Sequence, residues 1–294
     1  MKRGKEHVVT VADFQFKLST AEQFEIVLDD GFDYYIGGNK PEFDCTISCH
    51  AGLDTKIIPT TTPIYTAKTN YAVLWQIYSD TNGILLTVNN PENTAELQQI
   101  ARYNEAEKSL VVYSEAFEHD GKVVIESLKY PLLPLLLYYI ALANDGLMIH
   151  ASGVFDGEKG RIFSGFSGVG KSTMAKIWHD AGSTIINDDR MIIRKIERDF
   201  WMYNTPMYYS DKPKKAPLHH VFLPFHNKEN TLEKLTGVKA IASLMAFCIQ
   251  HGYSAANTQK LLDLIGELTK KCPVNRLGVV PTPAIIDFIK NNES

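Results

Sequence analysis

Residues 165–173 read GFSGVGKST, which meets the pattern G-x-x-x-x-G-K-[ST] through Gly165, Gly170, Lys171 and Ser172, with Thr173 as a second hydroxyl. Each residue type has a physical reason to be there. Glycines let consecutive backbone N–H groups converge on phosphate oxygens without Cβ clashes. The expected cradle runs from Gly165 through Ser167, Gly168, Val169 and Gly170 to Lys171, Ser172 and Thr173. In that arrangement Lys171 is a mobile cation for the β- and γ-phosphates and Ser172 offers its hydroxyl to Mg²⁺. The following helix turns its positive end toward the anion. The flanks fit the motif. GRIFSG (160–165) reads as a short buried strand, and Met174, Ile177, Trp178 and Ala181 recur at i, i+3, i+4 and i+7 before Gly182 stops the helix.

Working outward, 294 residues suffice for one large domain or two ordinary ones. Hydrophobic residues make up 45% and charged residues 22%, the composition of a globular chain. Thirty basic against 34 acidic residues leave a net charge of −4, which argues against nucleic acid or an anionic membrane as the main partner and leaves self-association open. The opening MKRGKEHVVTVADFQF has no uninterrupted apolar stretch, so no secretory leader is predicted. YPLLPLLLYYIALA (130–143) is apolar all round, but its 14 residues fall short of the roughly 20 that span a bilayer. A buried helix is expected there, with Pro131 and Pro134 in its first turn and Asn144–Asp145–Gly146 ending it. Cys45, Cys49, Cys248 and Cys272 make no disulfide framework in a chain this long, and CTISCH (45–50) lacks a second Cys/His pair for a metal site. A cytoplasmic protein is expected.

Residues 1–125 are expected to form a β-rich domain without phosphate-binding or nucleophile signatures. The runs HVVTVADFQFKL, CTISCH, YAVLWQIYS, GILLTV, SLVVYS and KVVIES alternate with turn clusters such as DDG, GGNKPE, SDTNG and EHDG. From 126 to 294 strands and helices alternate, which predicts a nucleotide-binding α/β domain. GLMIHASGVFDGEKGRIFSG reads as a hairpin turning at DGEKG, STIINDD (183–189) as a strand ending in acids, and RMIIRKIERDFWMY as a second hairpin turning at 197–199. Helices are predicted near 237–250 and 256–270.

Binding phosphate is not yet chemistry, which needs a metal ligand and a group that prepares an acceptor. Asp188 and Asp189 adjoin at the end of the predicted strand 183–189. Neighbours on a strand point to opposite faces, so one carboxylate is free to hold Mg²⁺ while the other faces the acceptor. His150 opens the hairpin that feeds the glycine loop and is placed near the phosphates.

Together LMIHASGV…GRIFSGFSGVGKST…IINDDR resembles the catalytic core of HPr kinase/phosphorylase and its wider relatives, which share a fold with phosphoenolpyruvate carboxykinases. His150 lies 15 residues before Gly165 and Asp188 lies 23 after it, spacings that agree with that family. The resemblance implies an α/β P-loop kinase core of the phosphoenolpyruvate carboxykinase-like type beside a β-rich N-terminal domain, using ATP and Mg²⁺. It also adds roles to those the motif gives Lys171 at the phosphates and Ser172 at the metal: His150 and Asp188 on the proton-handling side, and Asp189 at the metal. It covers roughly residues 128–290, most firmly 147–194. NTPMYYSDKPKKAPLHHVFLPFHNKENTLEKL (204–235) is similar to a stretch of HPr-kinase-related proteins in which A-P-L precedes a strand and N-x-[IL]-x-x-L starts a helix. The glycine- and arginine-rich C-terminal signature of HPr kinases is absent here, so the acceptor is left as an unknown protein or small molecule. Lys212, Lys214 and Lys215 read as charges of a solvated loop rather than as acceptor-binding groups.

A kinase acting on a hydroxyl is the leading expectation. A nucleotide-binding regulator without transfer keeps the same loop and is the alternative. A GTPase needs N-K-x-D, whereas NKEN (227–230) has Asn230 at the last place. A carboxykinase would need oxaloacetate-binding arginines that are not recognisable.

Overall fold

The computed structural model describes residues 2–69, 72–81, 83–206 and 211–293, with side chains from residue 4 onward. Residues 71, 82 and 207–210, which fall in the YAVLWQIYS strand, the SDTNG turn and the NTPMYYSDKPKK stretch, lie outside the described residues. The fold is mixed α/β, and the chain forms two compact units. One comprises Met1–Ile140, Pro206–Lys212 and His251–Tyr253; the other comprises Ala141–Thr205, Pro213–Gln250 and Ser254–Ser294.

The first unit holds twelve of the described strands: β1 (Lys2–Gly4), β2 (Glu6–Val11), β3 (Phe14–Thr20), β4 (Glu25–Leu28), β5 (Cys45–Ala51), β6 (Tyr65–Lys68), β7 (Val73–Asp80), β8 (Gly83–Asn89), β9 (Leu97–Asn104), β10 (Ser109–Ser114), β11 (Ala116–His119) and β12 (Lys122–Ile125). They make a four-stranded sheet, β1-β4-β12-β11, and an eight-stranded sheet, β2-β3-β5-β10-β9-β8-β7-β6. The run HVVTVADFQFKL is two strands, because Ala12 and Asp13 both take positive φ (51° and 60°) and turn β2 back on β3. Alternation buries Val9, Val11, Phe14, Phe16, Leu18, Ile47, Cys49, Leu110 and Val112 as this unit's core. Helix α1 (Leu132–Ala143) is apolar all round because it is buried. Tyr139 ties the His251–Tyr253 segment in, its hydroxyl lying 3.0 Å from His251 Nδ1 and 2.9 Å from the Tyr253 hydroxyl. Among the described residues no helix is long and apolar enough to cross a membrane, and the four cysteines are free and buried.

The second unit is built on one eight-stranded mixed sheet. Its strands are β13 (Gly146–Phe155), β14 (Gly160–Ser164), β15 (Thr184–Ile196), β16 (Asp199–Tyr203), β17 (Lys215–Pro217), β18 (His220–His226), β19 (Thr231–Leu235) and β20 (Val274–Val279). Their order is β17-β16-β15-β13-β14-β18-β20-β19, with β18 parallel to both β14 and β20. Helices α2 (Lys171–Asp180) and α5 (Ala284–Asn292) bury Met174, Ala175, Trp178, Ile285 and Ile289 against Val154, Phe163, Phe222 and Leu277. Ala175 therefore takes the inward place that the periodicity assigned to Ala181, which is exposed. Gly182 closes α2 at φ 93°, its N–H donating to His179 O at 2.9 Å.

Several expectations are corrected here. STIINDD does not end at the acids: β15 runs on to Ile196, because Met191, Ile192 and Ile193 continue the ladder with β13. Helix α3 (Gly237–Met245) stops short of residue 250, since the chain turns to satisfy β13, with His150 N–H donating to Phe247 O and Ile249 N–H to Met148 O. TLEKL is β19, paired with β20, so no helix starts at Asn230. Helix α4 (Ala255–Lys271) begins at a Ser254 side-chain cap on Asn257 N–H, close to its predicted bounds. Helix α5 was not anticipated.

A buried ion pair anchors α5. Arg161, 1% exposed, donates to both Glu293 carboxylate oxygens (2.7 and 2.5 Å) and to Asp156 (3.0 Å), with its guanidinium 4.4 Å above the Trp178 ring. Burial pushes both carboxyls up, but it is outweighed: by the Lys159 and Glu158 N–H groups and Arg161 at Asp156, and by Arg161 at Glu293. Both therefore end below their ordinary values. Glu293→Gln is expected to cost about 3 kcal/mol by leaving Arg161 short of a counter-charge. Because a depressed carboxyl stabilises only while ionised, the wild-type advantage is full above the ordinary glutamate value of 4.5 and shrinks as pH falls below it. Urea unfolding of both proteins at neutral and acid pH measures this; a difference that grows on acidification refutes it.

Candidate functional site

The glycine loop leaves the C-terminal end of β14 and enters α2 at Gly170, giving the order strand, residues 165–170, helix. Gly168 and Gly170 adopt φ 82° and 98°, and a Cβ at either would meet nothing within 4 Å, so the loop backbone faces open space. Lys171 departs from the expected mobile cation. It is only 8% exposed, and its Nζ donates to the carbonyls of Gly165 (2.9 Å) and Phe166 (3.0 Å), bracing the loop from within. His226 Nε2 lies 3.1 Å from Gly168 O. Phe166, 71% exposed, packs edge-on against Phe247 with ring centroids 5.1 Å apart.

Strands β13 and β15 bring the remaining groups to the loop. His150 and Ser152 are two apart on β13 and share a face; the ladder sets Ser152 opposite Asp188, Ala151 opposite Asp189 and His150 opposite Arg190. A bulge follows at once: Gly153 pairs with Asn187 but Val154 with Ile185. Bulges tighten local twist and re-aim side chains. Both aspartates reach the same cleft, although strict alternation would send them to opposite faces. His150 is held by its own backbone, through the N–H bond to Phe247 O (3.1 Å) and a 2.9 Å bond from Ser164 Oγ to its carbonyl, while its ring stays 46% exposed.

The cleft has a volume of about 270 Å³ and is lined by His150, Ala151, Ser152, Ser167, Gly168, Gly170, Lys171, Ser172, Thr173, Asp188 and Asp189. Gly165 and Val169 stand behind it, the Val169 side chain filling the space beside Gly165. Pairing inside the cleft differs from the grouping that the resemblance implies. His150 Nε2 lies 3.5 Å from Asp189 Oδ1, not on Asp188, and Asp189 Oδ2 accepts from Arg190 at 3.2 Å. Asp188 Oδ1 instead accepts a short bond from Ser152 Oγ. Burial, then Lys171 and Arg190, hold the His150 pKa below its ordinary 6.5 against the pull of the two aspartates. Burial likewise lowers Lys171, opposed by Asp188 and Asp189.

Ser152 and Arg190 were missed by sequence reasoning. Ser152 had a signal, because i+2 from His150 on a strand is the same face; Arg190 had none, since its reach depends on the strand continuing past the acids. Lys214 is committed elsewhere, its Nζ donating to Ile185 O at 3.1 Å. Among the described residues no group of three or more His, Cys, Asp or Glu converges as a metal cage. The donor set nevertheless fits a phosphate-bound Mg²⁺, which typically takes one or two carboxylates and completes its shell with phosphates and water. Backbone N–H groups, three hydroxyls and one ammonium suit the anion, and the two aspartates lie on the facing wall.

No family model matches the chain, and no curated protein matches it. Among solved structures it is similar to the Hpr(Ser) kinase/phosphatase from Coxiella burnetii, at 10% identity over 50% of this chain and 95% of that chain, with a TM-score of 0.31. At that TM-score the functional reading rests on the residues of the cleft alone.

Proposed function

We propose that the chain is an ATP- and Mg²⁺-dependent kinase that transfers a phosphoryl group to a hydroxyl of a protein or small molecule. The observation that carries this is the meeting of the glycine loop with Asp188, Asp189, His150 and Ser152 in one cleft. A bound Mg·ATP supplies the transferable phosphoryl group and the charge that neutralises it. Lys171 and the N–H groups of residues 165–173 hold the phosphates, and the N-terminus of α2 adds its partial positive charge. Ser172 and Asp189 hold the ion. Asp188, oriented by Ser152 through Oδ1, takes the acceptor's hydroxyl proton on Oδ2. His150, kept neutral at pH 7, orients Asp189 and leaves no extra positive charge beside the acceptor.

The direct test is transfer of labelled phosphate from ATP to fractions of a cell extract by purified protein, with Mg²⁺ and with EDTA. Mg²⁺-dependent labelling of a defined acceptor supports the reading; nucleotide binding with no transfer to any fraction refutes it in favour of a binding regulator. A pH profile adds a check. Because His150 has its pKa lowered and is needed neutral, the acid limb of kcat/KM is expected below pH 6.5, rising as pH increases through it. An acid limb at or above that value removes His150 from this role.

A further inference from the structure

We infer that the second unit carries a ligand site besides the nucleotide cleft, for a small apolar carboxylic acid. A cleft of about 580 Å³ opens within this unit, between the start of β16, the β17–β18 junction, the end of α4 and Glu293. Lys159, just before β14, also lines it, whereas the glycine loop leaves the other end of that strand. The two clefts share no lining residue. Phe200, Trp201, Pro217, Leu218 and Pro273 make an apolar wall on which a few polar groups converge, the usual make-up of a small-molecule site.

The decisive group is His220. It is only 6% exposed, lines the cleft, and stacks on Phe222 with ring centroids 6.0 Å apart. Nδ1 is sealed from solvent without a partner. Nε2 is not sealed, and no described residue hydrogen-bonds it, so the ring opens to the cleft by its Nε2 edge. Buried polar side chains rarely go without a partner. Burial holds the His220 pKa down to about 4, so the ring is neutral at pH 7 and has one N–H to give. His219 beside it is fixed by the start of β14. A Cβ on Gly160 would collide with Pro217 O, so only glycine allows this approach, and the Gly160 N–H donates to His219 Nδ1 at 3.0 Å. An Nδ1 that accepts puts the ring proton on Nε2, a donor that no described residue takes up. The carboxylates of the cleft, by contrast, are spent. Glu293 is held through both oxygens by Arg161 and by Lys159 at 3.3 Å, and Asp199 by Lys271 at 3.6 Å. The ion pairs around Glu293 join three cations, Arg161, Lys159 and Lys290, to two carboxylates, Glu293 and Asp156. Unused donors, a surplus of positive charge and an apolar wall together fit an apolar group that ends in a carboxylate.

Calorimetry of the full chain tests this with phenylacetate, indole-3-acetate, octanoate and a tetrapeptide ending in Leu-Phe with a free carboxylate, each beside its neutral amide. At least one acid should bind, and its amide should bind about tenfold more weakly or worse. Binding of the free acids identifies a metabolite site; binding of the peptide alone identifies the C-terminus of a protein as the source of the same carboxylate. Lys271→Gln should weaken binding by about tenfold. His220→Phe should abolish binding while leaving Tm level or raising it, because an apolar ring removes an unpartnered buried nitrogen. A histidine that serves the fold alone would give the reverse, a lower Tm with unchanged binding, and that result overturns the inference. The exposed Lys271 keeps the test valid if the His220 variant does not fold. Mg·ATP affinity should be unchanged in Lys271→Gln, which separates this site from the kinase reading. Absence of binding by all four acids at millimolar concentration, equal binding of acids and amides, or equal binding by wild type and both variants also overturns it.

Discussion

Lys171→Ala should weaken Mg·ATP binding by about 10²-fold or more, because it removes a charge-assisted contact to the β- and γ-phosphates. The side chain has a second job, since its Nζ braces the carbonyls of Gly165 and Phe166. Loss of affinity therefore has two sources, a missing cation and a looser loop. Lys171→Arg separates them by keeping the charge while changing its reach, and should recover part of the affinity. Thermal unfolding should show that both variants remain folded, because Lys171 stands at the first residue of α2 and braces only the loop carbonyls of Gly165 and Phe166. Calorimetry is the measurement. Equal ATP affinity in wild type and Lys171→Ala would sink the assignment of residues 165–173 as a phosphate cradle.

Asp188→Asn should leave nucleotide affinity nearly intact and lower phosphoryl transfer by roughly 10²-fold or more, the usual cost of losing a positioned base. Affinity is expected to stay level or rise, because one negative charge facing the phosphates is gone. Asp189→Asn should differ in kind. It weakens Mg·ATP binding itself and is partly rescued by more Mg²⁺. The hydrogen bonding sharpens a further comparison. Ser152 is bonded to Asp188, so Ser152→Ala should follow the Asp188 pattern at smaller amplitude. His150 faces Asp189, so His150→Ala should couple with Asp189→Asn rather than with Asp188→Asn. An exchange of the two aspartate phenotypes would exchange their roles. Wild-type binding and turnover in both would leave the acids as a solvated wall, and the chain as a nucleotide-binding regulator.

The elements around the cleft differed in how far they could be read in advance. Strand, glycine loop and helix over 160–182 were legible because each rests on local physics: an apolar run, glycines free to take positive φ, and a 3.6-residue apolar period. The hairpin of β13 and β14 was legible for the same reason. The end of α3 was not, because an edge of β13 needed hydrogen-bond partners and took them from residues 247–249. Nor was the strand character of TLEKL, which depends on its pairing with β20. The β-rich unit showed its strands through alternation and turns, but not their order, since β5 lies between β3 and β10 and pairs parallel with both.

By itself the sequence determined which residue types were on hand for the proposed phosphate chemistry and where on the chain they stood, because the glycines, the lysine and the hydroxyls form one contiguous motif. Tertiary structure alone decided who faces whom. Cross-strand register, with one bulge beside Asn187, set Ser152 against Asp188 and brought His150 within reach of Asp189. A register shift of one residue would turn every side chain of β15 to the other face, and no local property of INDDR encodes that choice. It follows from the hydrophobic ladder of β13, β15 and β16, whose burial holds the strands in place and delivers the polar residues to the cleft.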